Sequence, residues 1–260
     1  MKFFNQLLKF FRQENLFVPF ETFDPFSFNL CTEETICDNP SNNATFIDFE
    51  AYLMKKYKCS QNPHKNSSCS LRILAIADLH GHIDNFLDSI PDCNCYDICV
   101  LLGDNSLYDL KTLLNFIPVS KMIGVLGNHD EHDYYSRYGI RDINMDTISM
   151  KDISFIGIEG CLSYKDNMPG YTQEESLTLS TSLPSSDVLI SHSPPFLSGD
   201  PDDIHNGLMG IAEYAYKNNI SVILHGHLHE SSVCMLKNGT IVKCVYGIEL
   251  LDLNNLYDIQ

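Results

Sequence analysis

From residue 71 onward, apolar runs of strand length alternate with segments whose apolar residues recur at helical spacing. "LRILAIA" (71–77) precedes Ile83, Phe86, Leu87 and Ile90, which share one face of a predicted helix, and "ICVLLG" (98–103) follows. A second helical pattern passes through Leu107, Leu110, Leu114 and Ile117 and stops at Pro118, ahead of "MIGVLG" (122–127). Such runs lack polar alternation, so they read as strands buried on both faces and joined by helical crossovers. Farther on come "ISFIGIEG" (153–160), "DVLIS" (187–191), a predicted helix with Ile204, Leu208, Ile211, Ala212 and Ala215 on one side, and "SVILHG" (221–226). Two strands around the turn "KNGT" (237–240) complete the pattern. The predicted class is α/β.

Residues 1–70 read differently. "CDNPSNN" and "CSQNPHKNSSCS" are polar and turn-rich, and they frame a predicted helix within "FIDFEAYLMKKY". At the start, Phe3, Phe4, Leu7, Leu8, Phe10 and Phe11 fall on one helical face, with Lys2, Lys9 and Arg12 on the other. Docking onto the main domain and attachment to an anionic membrane surface both fit that face. The expected organisation is an N-terminal extension, 1–70, serving as a lid or an association segment, and a single domain over 71–260.

Composition narrows this picture. A chain of 260 residues with 44% hydrophobic and 20% charged positions can bury one substantial core. No apolar run reaches the roughly 18 residues a membrane span needs. Asn5, Gln6 and Lys9 interrupt the first apolar stretch and no small-residue cleavage site follows, so the expected location is the cytoplasm. The ten cysteines then do not read as a secreted disulfide framework, and they form no paired CxxC knuckles for structural zinc. Cys99, inside a strand, reads as a small buried hydrophobe. The net charge of −17 is uneven: residues 1–70 hold seven Lys/Arg against eight Asp/Glu, and residues 71–260 hold ten against twenty-six. A surface this acidic makes a long nucleic acid a poor partner.

The chemistry sits where the strands end. "LRILAIA" runs into Asp78-Leu79-His80, "ICVLLG" into Asp104, "MIGVLG" into Asn128-His129-Asp130, "DVLIS" into His192, and "SVILHG" into His227-Leu228-His229. In an open α/β sheet, sites form beyond the carboxyl ends of the strands. On a strand, side chains two apart share a face, which groups Asp78 with His80 and His227 with His229. A solitary strand-end histidine is commonly a satisfied structural one and a solitary Asp an N-cap, but five coincidences together favour a site. Asp78, His80, Asp104, Asn128, His192, His227 and His229 supply carboxylate, imidazole and amide oxygen without thiolate. That set suits Mn, Fe, Zn or Ni, and it is too large for one tetrahedral ion, so two divalent metal ions are expected. His225 shares the parity but precedes Gly226, and it reads as a strand-end histidine with a bond to the backbone or to a ligand from behind.

The ordered set Asp78-x-His80, Gly103-Asp104, Gly127-Asn128-His129-Asp130, His192 and Gly226-His227-x-His229 resembles the calcineurin-like metallophosphoesterase superfamily over roughly residues 71–250. The resemblance implies an αββα sandwich of two mixed β-sheets flanked by helices, and a dinuclear centre that hydrolyses phosphate esters through a metal-bound hydroxide. It implies Asp78, His80 and His229 on one metal, Asn128, His192 and His227 on the other, and Asp104 bridging. His129 is then the expected general acid, with Asp130 orienting it.

Within that superfamily the protein Ser/Thr phosphatases carry G-D-x-V-D-R-G, with arginines on the phosphate. This chain reads "GDNSLYD", and its only arginines are Arg12, Arg72, Arg137 and Arg141. The simpler pattern is similar to small phosphodiesterases, cyclic-nucleotide ones among them, so a small phosphoester is the expected substrate. A phosphomonoesterase or nuclease of the same fold, and a non-catalytic metal-binding scaffold, are the alternatives. His82 and His205 are looser candidates for substrate contact.

Overall fold

A computed structural model describes residues 47–58 and 70–257; the apolar face at residues 3–11 lies outside them. The strands, in chain order, are β1 (Ile47–Asp48), β2 (Arg72–Ala77), β3 (Ile98–Leu101), β4 (Met122–Gly124), β5 (Arg141–Asp142), β6 (Thr147–Met150), β7 (Ile153–Ile158), β8 (Cys161–Leu162), β9 (Gly170–Tyr171), β10 (Val188–Ser191), β11 (Ser198–Gly199), β12 (Val222–His225), β13 (Ser232–Met235), β14 (Ile241–Cys244) and β15 (Gly247–Asp252). Two sheets dominate. The first has the order β15-β2-β3-β4-β5, and the second β13-β14-β12-β10-β7-β6. In the first, β2 to β5 run parallel and β15 is antiparallel to β2; in the second, β7, β10, β12 and β14 run parallel between antiparallel edges β6 and β13. Both sheets are therefore mixed.

Side-chain alternation turns these sheets into layers. Ile73, Ala75 and Ala77 of β2 face inward with Val100, meeting Phe155, Val188, Ile190, Val222 and Leu224 of the second sheet. Leu74, Ile76, Cys99 and Leu101 face outward onto Leu110 and Leu113 of the helix Leu107–Leu113. On the opposite outer face, Ile156, Leu189 and Ile223 pack under the helices Gln173–Ser182 and Met209–Asn218. The result is the αββα sandwich that the resemblance implies. Because each central strand is covered on both sides, continuous apolar runs were the right signature.

Residues 47–58 belong to this packing. Phe49 and Leu53 of the helix Phe49–Tyr57 are fully buried in the outer cluster. Lys56 pairs with Glu213, which also accepts from the Tyr57 hydroxyl at 2.6 Å, while Glu50 accepts from the Tyr216 hydroxyl at 2.6 Å. Strand β1 pairs with β11. The helix expected in "FIDFEAYLMKKY" thus forms, with Asp48 as its N-cap accepting from Ala51 at 2.9 Å.

Two expected helices differ. Ile83, Phe86, Leu87 and Ile90 form two single 3-10 turns, Ile83–Asn85 and Leu87–Ser89, because the loop is tethered at its start and Pro91 stops any continuation. Ile204 and Leu208 lie before the helix Met209–Asn218. Gly207 breaks the pattern with φ +91°, at a point where a Cβ would sit 2.3 Å from the Pro194 carbonyl oxygen. Among the described residues the six cysteines are free thiols, and buried Cys99 behaves as the expected hydrophobe, burial pushing its thiol well up.

Candidate metal centre

The parallel strands of both sheets end on the same edge, and all seven expected ligands lie just past those ends. Asp78, His80, Asp104, His227 and His229 each adopt a left-handed backbone, with φ between 47° and 73°. Asp and His enter this region more readily than most residues, at a cost of roughly 1 kcal/mol or more each. The spacing of two therefore works through a left-handed loop rather than through strand alternation. Backbone bonds stabilise that loop: Asp78 N donates to the Gly103 carbonyl and His80 N to the Asp104 carbonyl, both at 3.1 Å.

The motif glycines have a steric reason. A Cβ on Gly127 would lie 2.1 Å from Asp104 Oδ1, and one on Gly226 would lie 2.6 Å from Asp78 Oδ2. Each glycine leaves room for the carboxylate of a neighbouring loop. Two aspartates then tie the loops together. Asp130 Oδ2 accepts from Asp104 N and Gly127 N, both at 2.8 Å. Asp109 is fully buried and accepts from Gly81, Ile83 and Ser106 amides at 2.7, 3.1 and 2.9 Å.

The donor atoms converge. His80 and His229 bring their Nε2 atoms to 3.0 Å of each other, and these lie 3.9 and 3.7 Å from Asp78 Oδ1. Asp104 Oδ2 lies 3.6 Å from His80 Nε2 and 3.5 Å from His192 Nε2. His192 Nε2 is in turn 2.9 Å from Asn128 Oδ1 and 3.2 Å from His227 Nδ1. Asp78, His80 and His229 form one group whose donors lie within 4.8 Å of one another, and Asp78, Asp104 and His192 form a second. Two observations fit cations here. Asp78 Oδ1 is buried without a hydrogen-bond partner, and facing imidazole nitrogens cannot all carry protons.

The electrostatics of the side chains alone point the same way. Burial pushes the Asp78 carboxyl up to about 6, although the neighbouring His192 opposes the rise. For Asp104 burial is outweighed by the charge and hydrogen bond of His192, which hold its carboxyl well below the usual range. His192 is the other half of that pair: burial lowers it, but Asp104 and Asp78 raise it to about 9. Burial and the His192 charge lower His227 to about 3. A divalent cation held by these groups would supply the positive charge that the His192 proton otherwise gives Asp104.

The remaining candidates are placed as follows. The His129 ring is exposed and packs edge-on against His80 at 5.5 Å, and its amide donates to Asp104 Oδ1 at 2.8 Å. Asp130, expected to orient the His129 imidazole, makes its hydrogen bonds to backbone amides and none to that ring. The reason is burial: a carboxylate 7% exposed finds its partners in the two loop amides beside it. His205 stacks on His227 at 5.6 Å, whereas His82 is exposed at the start of a 3-10 turn. His225 has Nδ1 2.9 Å from the Gly226 carbonyl, as expected, and joins neither donor group. Tyr164, Tyr246 and Asp109 were missed. Only Asp109 had a signal, as the fourth residue of a Ser106-x-x-Asp109 capping box.

This geometry can be set beside known proteins. A model of the calcineurin-like phosphoesterase family matches residues 71–231, the span that carries every expected ligand. The chain belongs to the calcineurin-like phosphoesterase family. TT1561 of Thermus thermophilus superposes with a TM-score of 0.51 at 15% identity, over 72% of this chain and 96% of its own, and shows the shared fold. A structure described as a novel archaeal phosphodiesterase matches with a TM-score of 0.43 at 17% identity, over 71% and 95%. A dimetal phosphatase from Danio rerio gives a TM-score of 0.48 at 12% identity, over 68% and 87%. No curated protein matches the sequence. Family membership makes this a metal-dependent phosphoesterase, a hydrolase. Among the described residues, no helix is long and apolar enough to cross a membrane.

Proposed function

We propose that the protein hydrolyses small phosphodiesters, nucleotides among them, with two divalent ions held at the strand ends. One observation carries this reading. Asp104 Oδ2 lies 3.6 Å from His80 Nε2 and 3.5 Å from His192 Nε2, so one buried carboxylate stands between a histidine of each proposed ligand set. Asp78, His80 and His229 complete one group, and Asn128, His192 and His227 the other. The oxygen and imidazole donors suit Mn, Fe, Zn or Ni. Two such ions, when bound, supply the Lewis acidity that activates water and holds phosphate oxygens for in-line displacement.

The chain's own residues do the rest. The Asp130 carboxylate keeps the Gly127 and Asp104 loops in register, so that Asn128 and Asp104 both reach His192. His129, exposed beside His80, gives its ring proton to the departing ester oxygen. The engagement of the described arginines supports a preference for diesters. Arg72, Arg137 and Arg141 bond respectively to the Asn94 carbonyl, to Asp133 and Glu131, and to Asp146. None of these arginines is left to clamp the second charge of a monoester dianion, which a diester lacks.

The test uses the full chain loaded with Mn²⁺. Metal analysis should find two ions per chain, and bis-p-nitrophenyl phosphate should be cleaved in preference to p-nitrophenyl phosphate. Preference for the monoester would make the protein a phosphomonoesterase, and preferred cleavage of single-stranded DNA a nuclease. Two bound ions without hydrolysis of these esters or of cyclic nucleotides would make it a scaffold. His129→Ala should keep both ions and lose about 10²-fold or more in turnover; unchanged turnover would remove His129 from the mechanism.

A further inference from the structure

We infer that two partly exposed tyrosines, Tyr246 and Tyr164, are positioning residues for opposite ends of the metal centre, Tyr246 through its ring and Tyr164 through its hydroxyl. The inference rests on the two-ion reading above.

A metal ligand keeps its aim through a second contact beyond the metal. Four of the seven ligands have one from the backbone. Asp78 Oδ2 accepts from His227 N and Asp104 Oδ1 from His129 N, both at 2.8 Å. His192 Nδ1 lies 2.8 Å from the Leu102 carbonyl, and His227 Nε2 lies 3.1 Å from the Ile204 carbonyl. Among the described residues, Asn128, His80 and His229 have no such side-chain bond to the backbone. The His80 ring is wedged edge-on between His129 and His229, at 5.5 and 4.9 Å. Asn128 and His229 are the two whose aim needs another source.

Each has a tyrosine. The amide of Asn128 serves a cation only with Oδ1 inward, because a flip about its last bond presents Nδ2, a donor with no lone pair to give. In the useful orientation, with Oδ1 beside His192 Nε2, Nδ2 donates to the Tyr164 hydroxyl at 3.2 Å, and that bond anchors the outer side of the amide. His229 is held by a face instead. Its ring stacks on Tyr246 with centroids 5.7 Å apart and planes 25° apart. Phe86 meets Tyr246 edge-on at 5.9 Å. Phe86 reaches this place because residue 247 is glycine: a Cβ there would lie 2.2 Å from Phe86 Cε1. The series Phe86, Tyr246, His229 thus braces one end of the centre by ring contact alone, contacts of about 0.5–1.5 kcal/mol each.

Exposed tyrosines at a cleft rim commonly have no such task, so the experiment exploits the difference between ring and hydroxyl. Metal-depleted full chain is titrated calorimetrically with Mn²⁺, and thermal unfolding checks the fold of each variant. Tyr246→Ala should weaken one of the two ions by about 10-fold or more, while Tyr246→Phe should bind both within about twofold of the parent. Tyr164→Phe, which keeps the ring, should weaken the other ion by about 10-fold. Tyr246→Leu, which keeps bulk without a stacking face, replaces the alanine variant if that one unfolds. Parental affinities in Tyr246→Ala or Tyr246→Leu and in Tyr164→Phe would overturn the inference, as would equal losses in Tyr246→Phe and Tyr246→Ala. Failure of the parent protein to bind two ions would overturn the metal-centre reading instead.

Discussion

Replacing Asp109 by alanine removes a carboxylate that never touches the donor groups, yet it should loosen one of them. Its oxygens hold the Gly81, Ser106 and Ile83 amides at 2.7, 2.9 and 3.1 Å, and Gly81 directly follows the proposed ligand His80. A hydrogen bond to a charged group contributes about 1.5–3 kcal/mol, and a buried donor left alone costs about 1–3 kcal/mol. Three full losses are not expected, because Gly81 and Ser106 are partly exposed and water can reach their amides; Ile83 is fully buried. The Ser106 hydroxyl also still caps the helix by accepting from residue 109 N. We expect a loss of about 3 kcal/mol for Asp109→Ala. At about 2–4 °C per kcal/mol for a domain of this size, that is a fall of about 6–12 °C in Tm. Asp109→Asn keeps one acceptor oxygen and should lose about half as much. Thermal unfolding followed by circular dichroism at pH 7 measures the stability, and Mn²⁺ titration measures the loosening at His80. A Tm within about 2 °C of the parent would refute the assignment of Asp109 as the tether of this loop.

Gly127→Ala places a Cβ 2.1 Å from Asp104 Oδ1 and 2.4 Å from Asp104 N, so the shared carboxylate must move; metal analysis should find neither ion retained stoichiometrically, and two tightly held ions would contradict the steric argument. Glu159 is raised to about 7 by burial, with the Asp142 charge adding to the rise, against about 4.3 in the unfolded chain. The group therefore contributes stability that is present below about pH 4.3 and lost as pH rises through 7. Glu159→Gln should escape that loss and melt above the parent at pH 8 but not at pH 4, by less than about 2 kcal/mol since the group is partly solvated; a pH-independent difference would rule this out. His225→Ala should leave the metal content unchanged while costing about 2 kcal/mol of stability, because the buried ring packs outside both donor groups; loss of an ion would make His225 a ligand after all.

The central strands were legible because burial on both faces writes itself as continuous apolar sequence, as in "LRILAIA" and "DVLIS". The candidate ligands stood out because each lies at the end of such a run. Helical spacing alone misled at Ile83–Ile90, where the apolar residues are real but Asp109 pins the start of the loop in 3-10 turns. Ile204 misled for a related reason, since Gly207 separates it from the helix whose face it extends, while Leu208 is that helix's N-cap. Pairing Asp78 with His80 by strand parity reached the right partners through the wrong backbone, because both residues are left-handed and past the strand.

What the sequence by itself determined is the layer pattern, the set of candidate ligand types and the edge of the sheet where they emerge. These are written in local order: periodicity along a strand and the residue that follows it. What only the tertiary structure decided is which groups meet across long separations. Asp130 spans to the Asp104 amide, Asp109 to Gly81, Tyr164 to Asn128, and Phe86 through Tyr246 to His229. Such partners leave no periodic trace, because their proximity is set by how the two sheets and their loops pack, and a lone tyrosine reads the same in a loop at a metal centre as in any other.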